Sequence, residues 1–167
     1  MAELLVVLAI ASLLMAMGVP GLAGMIRNQR LTTSVNDFFA AINLTRSEAV
    51  QRGIRVDLVP AGDGTDWSKG WIVLVDRNAN HKVDAGEQII FSRGPVADGI
   101  AISQGFGNST VQYLAYNAAG RTRTNASSHQ PRPGYWLFET DGRRRKVVVN
   151  FLGRPRTCDP DADPAAC

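Results

Sequence analysis

The sequence predicts an α+β fold in which one long N-terminal helix precedes a small antiparallel β-sandwich, and three observations carry that expectation. Residues Leu4 to Val19 form a nearly unbroken apolar run. From Arg30 onward apolar side chains recur at helical spacing. Beyond Gly53 the chain breaks into short apolar segments divided by Gly, Pro, Asn and Asp, the punctuation of strands and turns.

The apolar run LLVVLAIASLLMAMGV is preceded by the lone acid Glu3. Pro20, Gly21 and Gly24 interrupt the pattern without adding charge, and the apolar character continues to Arg27, which brings the stretch to the length a bilayer core demands. A secretory signal would carry basic residues before its apolar core and a small-residue cleavage site after it. Neither is present here, so the run reads as a retained anchor. In the segment behind it, Leu31, Val35, Phe38, Ile42 and Ala49 fall on one helical face, with Arg46, Glu48 and Arg52 among the polar positions. Gly53 is the expected stop. The expected organisation is a membrane-spanning half-helix over 1–27, a globular domain over 28–157 and a closed tail over 158–167.

The strand candidates are RVDLV, GWIVLVD, EQIIFS, IAIS, VQYLAY, GYWLFE and KVVVNF. No internal repeat stands out. At 167 residues with 45% hydrophobic content, the chain can bury one core beside its anchor.

Overall charge is only +3, but its distribution is uneven. Between Gly120 and Arg156 nine arginines and lysines stand against Glu139 and Asp141 alone, which favours an anionic partner such as nucleic acid or lipid headgroups. The cysteines are Cys158 and Cys167, both in the last ten residues. A zinc site would require four ligands, and His81 and His129 lie far away in sequence, so a disulfide formed in an oxidising compartment fits best, with two free thiols as the alternative. A catalytic triad, a phosphate-cradling glycine loop and clustered metal ligands are all missing from the pattern, which argues against an enzyme and calls for no cofactor.

An acid at the head of an apolar run, ELLVVLAIASLL, with Pro20 behind it and a long amphipathic extension, resembles the N-terminal helix of type IV pilins and pseudopilins. NQRLTTSVNDFFAAINLTRSEAVQRG and WSKGWIVLVDRNANHKVDAGEQII narrow that resemblance to the FimT/GspH family of minor pilins and type II secretion pseudopilins, on the side of the DNA-binding FimT-like members. The resemblance implies a pilin-like fold and a single-pass inner-membrane protein with its C-terminal domain in the periplasm. It also implies filament assembly with other pilins, in which Glu3 would meet the N-terminal amine of a neighbouring subunit and set register.

Two further sets of residues could carry function. Asp76, Asn78, Asn80, Asp84 and Glu87 occupy positions 1, 3, 5, 9 and 12 of a calcium EF-hand loop. Against calcium, His81 stands where the sharp turn favours glycine, and the flanks read as strands; a polar hairpin connection explains the same residues. The second set is basic: Arg121 and Arg123 in GRTR, Arg143, Arg144, Arg145 and Lys146 in GRRRK, and Gly153, Arg154 and Arg156 in GRPR. Arginines two apart on an extended segment share a face about 6–7 Å apart, and Pro155 biases Arg154 toward extended geometry. Two forked guanidinium groups on one face suit two phosphates of a nucleic-acid backbone. The resemblance sharpens this, because DNA-binding FimT-like members carry Gly-Arg-x-Arg near the C-terminus, matched by Gly153, Arg154, Pro155 and Arg156. Double-stranded DNA, taken up during natural transformation, is the implied partner. A GspH-like secretion pseudopilin that binds only other pseudopilins is the alternative.

Overall fold

The computed structural model describes residues 2–106 and 112–167, and the side chains of these except at positions 11, 13–21 and 166. Helix α1 spans Ala2–Arg52 and stops one residue before Gly53, as the sequence expects. At 1.5 Å per residue it is about 75 Å long. Its two halves differ in surroundings. Leu4, Leu5, Val6, Val7, Leu8 and Ile10 are exposed, whereas Leu31, Val35, Phe38, Ile42 and Ala49 are buried, so the helical stripe read from the sequence is the face that packs. Thr45 lies on the same buried face and donates its hydroxyl to the Ala41 carbonyl at 2.7 Å. Among the described residues no helix is long and apolar enough to cross a membrane. Much of the run expected to do so, at position 11 and from 13 to 19, lies outside the described side chains.

Among the described residues nine strands follow: β1 (Val56–Pro60), β2 (Trp71–Val75), β3 (Gln88–Arg93), β4 (Ala101–Phe106), β5 (Leu114–Tyr116), β6 (Thr122–Arg123), β7 (Gly134–Thr140), β8 (Arg143–Val149) and β9 (Pro155–Cys158). They form a five-stranded sheet in the order β3-β2-β1-β5-β6 and a four-stranded sheet in the order β4-β7-β8-β9. Every pairing is antiparallel. Two strands were not expected. β6 has two residues and β9 four, both polar, and neither shows the apolar alternation by which a strand is read. The expected KVVVNF strand is shifted: β8 begins at Arg143 and ends at Val149, leaving Phe151 in a turn. Val111, the start of the expected VQYLAY strand, lies outside the described residues.

The core is aromatic. Phe38 of α1 sits edge-on to Trp67, Trp71, Trp136 and Phe138, with ring centroids 4.8–5.4 Å away. Trp71 comes from the five-stranded sheet and Trp136 and Phe138 from the four-stranded one, so a single helical side chain joins both sheets. Edge-to-face pairs of this kind add about 0.5–1.5 kcal/mol each beyond burial.

Candidate nucleic-acid interface

The four-stranded sheet has one dry face and one wet face. Trp136, Phe138, Val147 and Val149 are buried against the core, and strand alternation therefore sends their neighbours outward. Register places Tyr135 opposite Val148, and Val148 opposite Arg156. Lys146 shares this outer face and holds its ammonium 4.0 Å from the centre of the Tyr135 ring. Arg154 and Arg156 flank Pro155 at the free edge of the sheet, both exposed. Trp67, Trp71, Tyr116 and Trp136 are core residues, whereas Tyr135 is exposed.

The basic clusters differ in how free they are. Arg144 donates from Nε to Asp161 Oδ1 at 3.0 Å, and Arg145 donates to Asp159 Oδ2 at 2.5 Å. The Arg144 guanidinium holds the Asp161 carboxyl below the usual carboxylate range, chiefly through that hydrogen bond. Both acids sit inside the loop closed by the Cys158–Cys167 disulfide, which forms as expected. Arg123 turns back on its own chain, donating to the Thr124 carbonyl at 3.2 Å. Among the described residues Arg154, Arg156, Arg121 and Arg143 have no carboxylate partner.

Two of the clusters meet. The turn before Arg121 and the turn before Arg154 have the same construction, and the sequence signal for it is a short repeat that was missed: Asn-x-x-Gly-Arg-x-Arg at 117–123 and again at 150–156. In the first, Asn117 Oδ1 accepts from the amides of Ala119 and Arg121, and the Gly120 amide donates to the Asn117 carbonyl. In the second, Asn150 Oδ1 accepts from the amides of Leu152 and Arg154, and the Gly153 amide donates to the Asn150 carbonyl. Gly120 (φ 66°) and Gly153 (φ 74°) are both left-handed. Glycine is also needed for space, since a Cβ on Gly153 would lie 2.9 Å from the Tyr116 ring, 3.0 Å from the Thr122 amide and 3.2 Å from the Gly120 carbonyl oxygen. The two turns are therefore in backbone contact, locked by the Tyr116 hydroxyl, which donates to the Gly153 carbonyl at 2.7 Å.

Arg46 joins them from α1. A Cβ on Gly120 would fall 3.2 Å from Arg46 Nε and 2.9 Å from Val50 Cγ2, so the guanidinium stem lies against the first turn. Arg46 escaped the sequence reading because, on an amphipathic helix, one arginine on the polar face looks like any other.

The second sequence candidate, the Asp76–Glu87 loop, connects β2 to β3. Asp76 is buried and its carboxylate accepts from the amides of Ala79 (2.5 Å) and His81 (2.9 Å). Asn78 and Asn80 donate their side-chain amides to Asp84, and Glu87 accepts from the amides of Arg77 and Asp84. The sharp turn is made without glycine: His81 adopts φ 63° and Ala79 φ 60°. His81 tolerates it because its ring is buried, stacked on Tyr113 with centroids 3.6 Å apart. Asp57, Asp76 and His81 bring ligand atoms within 4.8 Å of one another. The Arg55 guanidinium already fills that space, forked on Asp57 and 3.9 Å from Asp76.

Glu3 stands exposed in the first turn of α1. Against known proteins, the sequence profile described as type II transport protein GspH matches residues 34–153. The chain belongs to the FimT/GspH family of minor pilins and pseudopilins. Two solved structures share the fold of this family member. The Pseudomonas aeruginosa type IV minor pilin FimU is 20% identical with a TM-score of 0.62, over 82% of this chain and 92% of that one. The minor pseudopilin EpsH from the Type 2 Secretion System of Vibrio cholerae is 14% identical with a TM-score of 0.56, over 78% of this chain and 98% of that one. No curated protein matches the sequence.

Proposed function

We propose that this FimT/GspH family member is a membrane-anchored minor type IV pilin that assembles into a pilus and binds DNA without sequence preference during uptake for natural transformation. One observation carries the DNA reading: Arg154 and Arg156 flank Pro155 on an exposed sheet edge with no acid partner among the described residues, while Arg144 and Arg145 are neutralised by Asp161 and Asp159. Guanidinium groups in that state are available to phosphates, which fix position and carry no sequence information. The anchor reading is supported by the bare apolar side chains of Leu4–Leu8 and Ile10, which need a lipid or protein environment. Glu3 at the head of that run would then set register with the N-terminal amine of a neighbouring subunit, and the globular part would face the periplasm.

A single copy offers few phosphate contacts, so its Kd should lie at or above about 1 µM, and several copies along a filament would hold DNA by avidity. The test is a mobility shift with the full chain in non-ionic detergent and long double-stranded DNA over a range of salt. The expected log–log slope is about −0.9 per phosphate contact, and the double variant Arg154→Gln, Arg156→Gln should make it shallower by about two contacts. An unchanged slope would remove these residues from the site.

The second reading, a structural pseudopilin of a type II secretion filament, is favoured by the family description and by the likeness to EpsH. It predicts no shift of DNA at any salt, and co-purification with other pseudopilins.

A further inference from the structure

The repeated turn extends the DNA-binding reading, on which this inference rests. We propose that the Asn117–Arg123 turn is a second phosphate-binding arm, and that Arg46 of α1 joins Arg121 and Arg154 in one cradle for the backbone of a linear polyanion.

Three observations meet at the same place. The two turns repeat one sequence and one hydrogen-bond pattern, so each presents the arginine after its glycine from the same backbone geometry. They touch through the Gly120 carbonyl and Gly153, which brings the two arginine-bearing segments side by side although they lie in different sheets. Arg46 packs against Gly120, and its charge acts on the buried Tyr116 hydroxyl that ties the turns together.

Charge balance then decides what the site would take. Arg27, Arg52, Arg55, Arg93, Arg144 and Arg145 all hold carboxylates. Among the described residues Arg46, Arg121, Arg154 and Arg156 hold none. Four like charges gathered without a counter-ion repel one another and favour an anionic ligand. They come from a helix and from two turns in different sheets, and Arg154 and Arg156 alone are about 6–7 Å apart on extended backbone. An isolated phosphate would answer these groups only if side chains from three elements converged on one point. A chain of phosphodiesters can answer all of them, which makes a nucleic-acid backbone the fitting ligand class.

The experiment compares the full chain in non-ionic detergent with Arg46→Gln, Arg121→Gln and Arg30→Gln, measuring DNA affinity against salt. Arg30→Gln removes the same charge from the same helix about 24 Å away and serves as the control. The expected result is a slope shallower by about 0.9 for Arg46→Gln and for Arg121→Gln, and unchanged for Arg30→Gln. Arg46→Lys, which keeps the charge and the stem, should restore the parental slope, separating lost contact from lost packing. If the parent binds and the Arg154/Arg156 double variant weakens it while Arg46→Gln and Arg121→Gln leave slope and affinity alone, the cradle is overturned and the simpler arginine site survives. If the parent does not bind DNA, both readings fall together.

Discussion

The hydroxyl of Tyr116, on a strand of one sheet, donates a 2.7 Å hydrogen bond to the carbonyl of Gly153, in a turn of the other. That bond spans the gap between the two arginine-bearing turns and has a consequence for alkaline stability. Burial pushes the Tyr116 phenol well above its ordinary value of 10.0, and the nearby charge of Arg46 opposes the shift without cancelling it. A raised folded value means that Tyr116 favours the native state fully below about pH 10, and that stability falls as pH rises beyond that point, because the unfolded phenol ionises and the folded one does not. The loss from this group should approach 1.4 kcal/mol per pH unit. Tyr116→Phe should remove that component, and at neutral pH should cost about 1–3 kcal/mol by leaving the Gly153 carbonyl without its donor. Denaturant unfolding at pH 8 and pH 11 checks both statements, and equal pH dependence in parent and variant would contradict them.

The Arg55–Asp57 pair should matter more to stability than any exposed ion pair in the molecule. Asp57 is fully buried and accepts from two guanidinium nitrogens, with His81 Nδ1 3.3 Å away. Replacing Asp57 by Asn strands a largely buried cation, and removing one partner of such a pair costs about 3–5 kcal/mol. Asp76, 3.9 Å from Arg55, softens the loss toward the lower end. By contrast, Arg27→Gln breaks only the exposed pair with Asp141 and should change stability by less than about 1 kcal/mol. Comparable denaturation midpoints for the two variants would refute this ranking.

The β2–β3 connection offers a test of backbone strain. Ala79 sits at φ 60°, a conformation that costs an L-residue about 1–2 kcal/mol, whereas glycine there gives up about 0.5–1 kcal/mol of chain entropy. Ala79→Gly should therefore stabilise by about 0.5–1 kcal/mol, since its amide and carbonyl bonds to Asp76 and Asn125 are main-chain and survive. His81→Gly relieves the same kind of strain yet should destabilise, because it removes a buried ring stacked on Tyr113. Opposite signs in thermal melts are the expected outcome, and two shifts of the same sign would count against it.

What was legible in the sequence followed periodicity. The α1 stripe of Leu31, Val35, Phe38, Ile42 and Ala49 was readable because a packed face repeats every three to four residues, and the longer strands because they alternate or run apolar. β6 and β9 were not, since two to four polar residues carry no period. Arg154 and Arg156 stood out as a motif. Which of the basic clusters were free did not, because Asp159 and Asp161 reach Arg145 and Arg144 only after β9 pairs with β8 and carries the tail back alongside them. The turn-to-turn contact was invisible for the same reason, since sequence distance conceals what a sandwich brings together, and Arg46 was one arginine among several on a polar helix face.

The tail acids give the last prediction, and its direction is opposite to that of the arginine variants. Asp159 and Asp161 lie inside the disulfide-closed loop and occupy two guanidinium groups at the start of β8. Of these, Arg144 shares the outward face of the sheet with Lys146 by strand alternation, so the acid partner covers a cation on the wet face. Asp159→Asn with Asp161→Asn raises net charge by two and frees both guanidinium groups. The double variant should bind DNA more tightly than the parent and show a log–log salt slope steeper by up to about 1.8, the equivalent of two added phosphate contacts. Lowering pH should act in the same direction. The Asp161 value is depressed by Arg144, so its contribution to tail docking is present above the unfolded carboxylate range and is lost as pH falls through the folded value. Stability should change little, since exposed pairs contribute about 0–1 kcal/mol. Tighter binding with the parental slope would point to an effect on the tail's conformation instead of freed cations, and unchanged binding would place the start of β8 outside the DNA path, leaving the two arginine turns as its whole extent.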